Sequence, residues 1–174
     1  MMILLTGGAA CGKSAYGEEL CLQAPLPRYY LAAMRPFGEE GRRRVQRHRR
    51  LRTGKGFQTI ERYTDYAALR LPAGCTALLE CVGNLTANEM FDSNGQWRDP
   101  TEPVLNGVEA LRQQCGLLVV VTNEVGSDGY PYPAGTAAYI EALGRINALL
   151  AARADRVVEL VAGIPLTVKG VLTL

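Results

Sequence analysis

Gly7, Gly12, Lys13 and Ser14 stand in the order Gly-x4-Gly-Lys-Ser, inside the stretch TGGAACGKS. This is the pattern of a loop that wraps phosphate in backbone N–H groups. Glycines at Gly7, Gly8 and Gly12 permit the tight turn and the close approach to phosphate oxygens. Ala9, Ala10 and Cys11 keep the loop small. In this pattern Lys13 is expected to reach the β- and γ-phosphates of a nucleotide, and the Ser14 hydroxyl to hold magnesium.

Two further residues have the chemistry for phosphate work. His48 is the single histidine and lies inside RRRVQRHRR. On a helix, Val45, His48 and Leu51 recur every three residues, which puts the imidazole beside the packed stripe. An imidazole among cations that grip phosphate is a candidate nucleophile for an α-phosphate. A packed or solvent-exposed helix histidine is the plainer alternative. Glu80 closes the apolar run TALLE, and a carboxylate at the end of a buried strand is suited to ordering magnesium near a phosphate loop. Asn123, Glu124 and Gly126 end another apolar run, LLVVV, and are placed to line a pocket.

These residues need a scaffold that brings strand ends together. Apolar runs at Met2–Leu5, Tyr29–Ala32, Thr76–Leu79, Leu117–Val121 and Arg156–Val161 read as strands, with a short one at Phe57–Glu61. Helix patterns lie between them, at Lys13–Leu22, Glu39–Leu51, Asp65–Leu71, Val104–Gln114 and Thr136–Ala154. The alternation predicts an α/β fold, a mostly parallel sheet covered by helices on both faces. VVELVAGIPLTVKG reads as two strands joined at Gly163–Pro165, an antiparallel edge. Asp92–Pro103 is expected to be a surface loop. In such a sheet, ligands sit at the carboxyl ends of the strands.

The chain has 174 residues and 48% hydrophobic residues, which suits one domain spanning 1–174. No apolar run approaches the roughly 20 residues of a membrane span, and the start lacks a basic n-region. A cytoplasmic protein is the expectation. Five cysteines without a CxxC pair argue against structural zinc and a disulfide framework. Net charge is only +2, yet Gly41–Ile60 holds seven arginines, Lys55 and no acid. Arginine forks match phosphate bidentately, so this run fits a polyphosphate; it also fits nucleic acid or a solvated helix face.

Taken together, the motifs resemble those of the bifunctional adenosylcobinamide kinase / adenosylcobinamide-phosphate guanylyltransferase family. The resemblance spans nearly the whole chain. It rests on MMILLTGGAACGKS, YYLAAM, GEEGRRRVQRH, TIER, LLECVGNLTANEMF, VVVTNEVG, GRINALLA and VAGIPLTVKG. It implies a RecA-like nucleotide-binding fold and two reactions: phosphorylation of adenosylcobinamide with ATP or GTP, then transfer of GMP from GTP through a GMP-histidine. It implies that His48 carries GMP, and that Gly7–Ser14, Ala32, Ala33, Met34, Arg49, Arg50, Leu51, Arg52, Glu61 and Glu80 contact the nucleotide or its Mg2+. It also implies a homo-oligomer, a trimer, with no nucleic-acid partner.

The chain departs from the family pattern at several places. Ala33 and Met34 replace hydroxyl residues after the second strand, and Gly83 replaces a threonine. After NEVG, the stretch SDGYPYPAGTAAYIEALGR keeps Pro131 but lacks the expected arginines. Two other readings remain open at this level: a monofunctional small-molecule kinase, and a nucleotide-dependent nucleic-acid-binding protein. No aromatic platform interleaves the basic run, which weighs against the latter.

Overall fold

A computed structural model describes residues 1–171 apart from Ser93, Gly95 and Ser127, and leaves out the side chains of Arg44 and Leu51. The sheet contains β1 (Met2–Thr6), β2 (Arg28–Ala32), β3 (Phe57–Glu61), β4 (Cys75–Glu80), β5 (Cys115–Val121), β6 (Arg156–Val161) and β7 (Ile164–Lys169). The helices are α1 (Lys13–Leu22), α2 (Gly38–Arg52), α3 (Val82–Met90), α4 (Thr101–Gln114) and α5 (Ala134–Arg153). The strand order is β3-β2-β4-β5-β1-β6-β7. All neighbours are parallel except β6 and β7.

Period-two alternation explains the two layers. In β1, Ile3 and Leu5 join Leu78, Val119 and Val121 in a cluster with Leu20 and Cys21 of α1. Met2 and Leu4 face the other way, among Leu85 of α3, Val108 of α4 and Ile146 of α5. Both faces of the central strands are therefore buried, which is why they read as unbroken apolar runs. α1 lies very close to the sheet: a Cβ on Gly17 would meet Leu78 at 3.0 Å and Leu5 at 3.2 Å.

Three local expectations are corrected. Asp65–Leu71 forms only a 3-10 turn, Tyr66–Ala68. Pro72 follows directly and disfavours a helical Leu71. Tyr66 is buried against Gly107 of α4, where a Cβ would come within 2.8 Å of the tyrosine. α3 is not expected from VGNLTANEM, where Val82, Gly83, Asn84, Thr86 and Asn88 weaken the helix signal; burial of Val82, Leu85 and Met90 stabilises it. The loop expected to run to Pro103 ends earlier, because α4 starts at Thr101 and holds Pro103 in its first turn. A proline is tolerated there, where no helical N–H bond is required. The antiparallel edge is as expected, but its turn is at Ala162–Gly163, ahead of the expected Gly163–Pro165 junction, and Pro165 lies within the edge strand.

Candidate active site

The phosphate-loop residues connect β1 to α1. Gly7 has φ 130, and a Cβ there would lie 2.5 Å from the Leu160 carbonyl oxygen, so only glycine fits. Among the described residues, no backbone N–H from Gly8 to Gly12 donates to another protein group. Gly8, Ala9, Ala10 and Gly12 are exposed. The result is an open ring of donors at a helix start, a setting that favours an anion. Lys13 is buried and folds back on the loop, donating to the carbonyls of Gly7 at 2.9 Å and Gly8 at 2.5 Å.

Glu80 gathers the other groups. One carboxylate oxygen accepts from Ser14 Oγ at 2.5 Å and lies 4.0 Å from His48 Nδ1. The other accepts from the Tyr30 hydroxyl at 2.8 Å. This contact requires β2 beside β4, in the register that pairs Ala32 with Glu80. Burial, then the Glu80 charge, pushes the Tyr30 hydroxyl far above its ordinary value, so it remains a donor.

α2 brings the cations. The Arg52 guanidinium lies 3.4 Å from the centroid of the Tyr30 ring. It is 7% exposed, and its Nε and one terminal nitrogen have no hydrogen-bond partner. A desolvated arginine with idle donors costs the free protein stability, and a phosphate or carbonyl would satisfy it. Arg49 pairs with Glu61 at the end of β3. Lys55, just past α2, pairs with buried Glu18 of α1 at 2.5 Å and ties the two helices together.

Other expected site residues are less central. Arg50 is exposed, and the Leu51 side chain lies outside the described residues. Ala33 is fully buried, its N–H bonded to Glu80 O and its C=O to Asn88. Ala32 and Met34 beside it are half-buried. The Glu124 N–H donates to Gly7 O at 3.3 Å, and Thr6 Oγ1 donates to its carboxylate at 3.3 Å, so this residue braces the loop. Tyr30 was not singled out from the sequence. Its signal was a buried tyrosine in an apolar strand, a group that normally finds a hydroxyl partner.

The donor set suits magnesium. Ser14 and Glu80 present hard oxygens side by side, and such sites supply one or two protein oxygens and leave the rest to water and phosphate. Among the described residues there is no cluster of three or more histidine, cysteine or acidic side chains that could cage a metal ion without phosphate.

A glycine-rich loop feeding a helix, with a carboxylate at the end of the strand one removed from it, defines a phosphate-loop nucleotide-binding protein. The chain matches the family described as cobinamide kinase / cobinamide phosphate guanyltransferase over residues 3–168, and it belongs to that family. It is therefore a transferase, of a family whose reactions use nucleotides and cobinamide. It is 33% identical over 184 residues to the bifunctional adenosylcobalamin biosynthesis protein CobU of Escherichia coli, covering 97% of this chain and 100% of the relative. It is 30% identical over 173 residues to the bifunctional adenosylcobalamin biosynthesis protein CobP of Pseudomonas aeruginosa, covering 98% of each. Among solved structures, it resembles a prototypical ATPase from the type III secretion system of pathogenic bacteria. That match has a TM-score of 0.54 and 12% identity, covering 92% of this chain and 52% of that one, and it concerns the fold.

Proposed function

We propose that this chain, as one domain, phosphorylates adenosylcobinamide and then transfers GMP from GTP to the phosphate through a GMP adduct on His48. The observation that carries the reading is the convergence of His48 and Ser14 on one carboxylate, Glu80. A nitrogen of His48 attacks the α-phosphorus of GTP, and pyrophosphate leaves. An oxygen of adenosylcobinamide phosphate then attacks the same phosphorus and frees the imidazole. Nδ1 is the nitrogen nearer Glu80, which leaves Nε2 to attack.

In the kinase step, with ATP or GTP as donor, the loop N–H groups and Lys13 hold the phosphates. Arg52, and the further residues Arg49, Arg50, Glu61 and Ala32–Met34, contact the nucleotide in this reading. Mg2+ on Ser14 and Glu80 would supply charge neutralisation at the transferred phosphate.

The basic run is partly committed internally: Arg43 to Glu39, Arg49 to Glu61 and Arg52 to Tyr30. This supports a nucleotide rather than a nucleic acid as its partner. Exposed Ile164, Leu166 and Val168 on β7 support a homo-oligomer; the trimer rests on the family resemblance alone. Free cysteines and triphosphate substrates fit the cytoplasm. The test is a mass spectrum after incubation with GTP and magnesium, without corrinoid. A mass gain of one GMP, lost on mild acid treatment, is expected. No gain would leave a kinase alone as the better description.

A further inference from the structure

At the carboxyl end of the sheet, beyond α3, lies a second cavity of about 520 Å3, within the size range of small-molecule sites. Arg35, Asn88, Gln96 and Trp97 line it. Trp97 is the chain's single tryptophan and is 55% exposed. It is held by a bridge to Phe91 across the turn that follows α3.

The acidic groups of this cavity are already occupied. Glu89 accepts from the Asp65 N–H and pairs with Arg98. Asp92 accepts from the N–H groups of Asn94 and Gln96. Three of the lining side chains keep idle donors. Arg35 lies over the Tyr63 ring at 5.5 Å, and no hydrogen bond is made by its guanidinium, the Gln96 amide or the Trp97 indole among the described residues. An open aromatic face beside idle donors, with Glu89 paired to Arg98 and Asp92 Oδ1 taken by backbone N–H groups, suits a broad ligand rich in carbonyl acceptors.

The cavity is joined to the phosphate site by two consecutive hydrogen bonds. The Asn88 amide donates to Ala33 O at 2.7 Å, and the Ala33 N–H donates to Glu80 O at 2.9 Å. Asn88 stands six residues along α3 from Val82, or about 9 Å of helix rise. A macrocycle in the cavity can thus send a flexible side arm to Glu80 and Ser14.

We infer that this cavity holds the carboxamide-bearing rim of the cobinamide acceptor, with Trp97 against the macrocycle and Arg35 and Gln96 on its amide carbonyls. The inference rests on the proposed function above. It assigns the acceptor to α3 and the turn after it, away from the arginines of α2.

The test uses full-length Trp97→Ala and Arg35→Ala, which alter two lining side chains from different segments, and Trp97→Phe, which keeps an aromatic face. KM for cobinamide in the kinase step is expected to rise at least tenfold in both alanine variants and far less in Trp97→Phe. KM for the nucleotide and formation of the GMP adduct from GTP alone are expected to stay within twofold of wild type. An unchanged cobinamide KM in folded alanine variants overturns the inference. A raised nucleotide KM or a lost adduct also overturns it, by assigning the cavity to the nucleotide. If wild-type protein forms no adduct, the two-step reading fails, while cobinamide KM in the kinase step still decides this one.

Discussion

His48 Nδ1 lies 4.0 Å from the Glu80 oxygen that accepts the Ser14 hydroxyl. The imidazole comes from α2 and the carboxylate from β4, so the contact joins the arginine-rich helix to the phosphate loop. His48→Asn retains a polar side chain but cannot form a phosphorus–nitrogen bond. It should abolish the GMP adduct and GMP transfer, and keep phosphorylation of cobinamide within about threefold, because charge stabilisation there comes from Lys13 and the loop. Separate assays of the two steps check this; GMP transfer by the variant would rule out the covalent route.

Lys13→Ala should slow both steps a hundredfold or more, the usual scale for losing a preorganised charge at a transferred phosphate. A single phosphate loop has to serve both reactions. If either rate remains near normal, that step does not use the loop.

Arg52→Met should separate binding from stability. The arginine's buried idle donors oppose folding, and its stacking on Tyr30 favours it, each by about 1–3 kcal/mol. The melting temperature should therefore stay within about 4 °C of wild type. KM for GTP should rise at least tenfold. A large fall in melting temperature with normal GTP binding would make Arg52 a structural residue.

Acid stability should depend on Asp155. Its carboxyl accepts the Met2 N–H at 2.6 Å. That bond foremost, with Arg112 nearby, holds the group below its usual range, against partial burial. Because the folded value is the lower one, the stabilisation is present above the unfolded value of about 4 and fades as pH falls through the folded value. Asp155→Asn should cost about 1 kcal/mol at pH 7, a charged hydrogen bond discounted for exposure. Chemical denaturation across pH 2–7 should show the two proteins converging in acid.

The fold was most legible where local sequence and tertiary demand agree. α1, β3 and β6 end where the sequence ends them, because a glycine, proline or charged residue lies within three residues of each end. The turn at Tyr66–Ala68 and helix α3 were not legible, because Gly107 and the buried face of Val82 and Leu85 decide them from a distance. The same split governs the site. The phosphate loop is one local stretch, and Glu80 is a strand end. The Tyr30 contact depends on β2 lying beside β4, which no local pattern states. Arg52 lay inside a run of arginines that spacing alone does not sort. The structure separates Arg52, stacked and buried, from Arg50, left in solvent.

Lys13 ties its own loop together. Its ammonium already sits on the Gly7 and Gly8 carbonyls. A triphosphate therefore displaces one set of contacts to make another, and its net affinity is the difference between the two. A short anion that draws Lys13 away should bind less tightly than the loop's donors alone would suggest. A nucleotide that also engages Arg52 recovers the deficit. The lysine thereby sets part of the cost of phosphate binding, and a ligand that reaches more of the site's donors offsets that cost more fully than inorganic phosphate does.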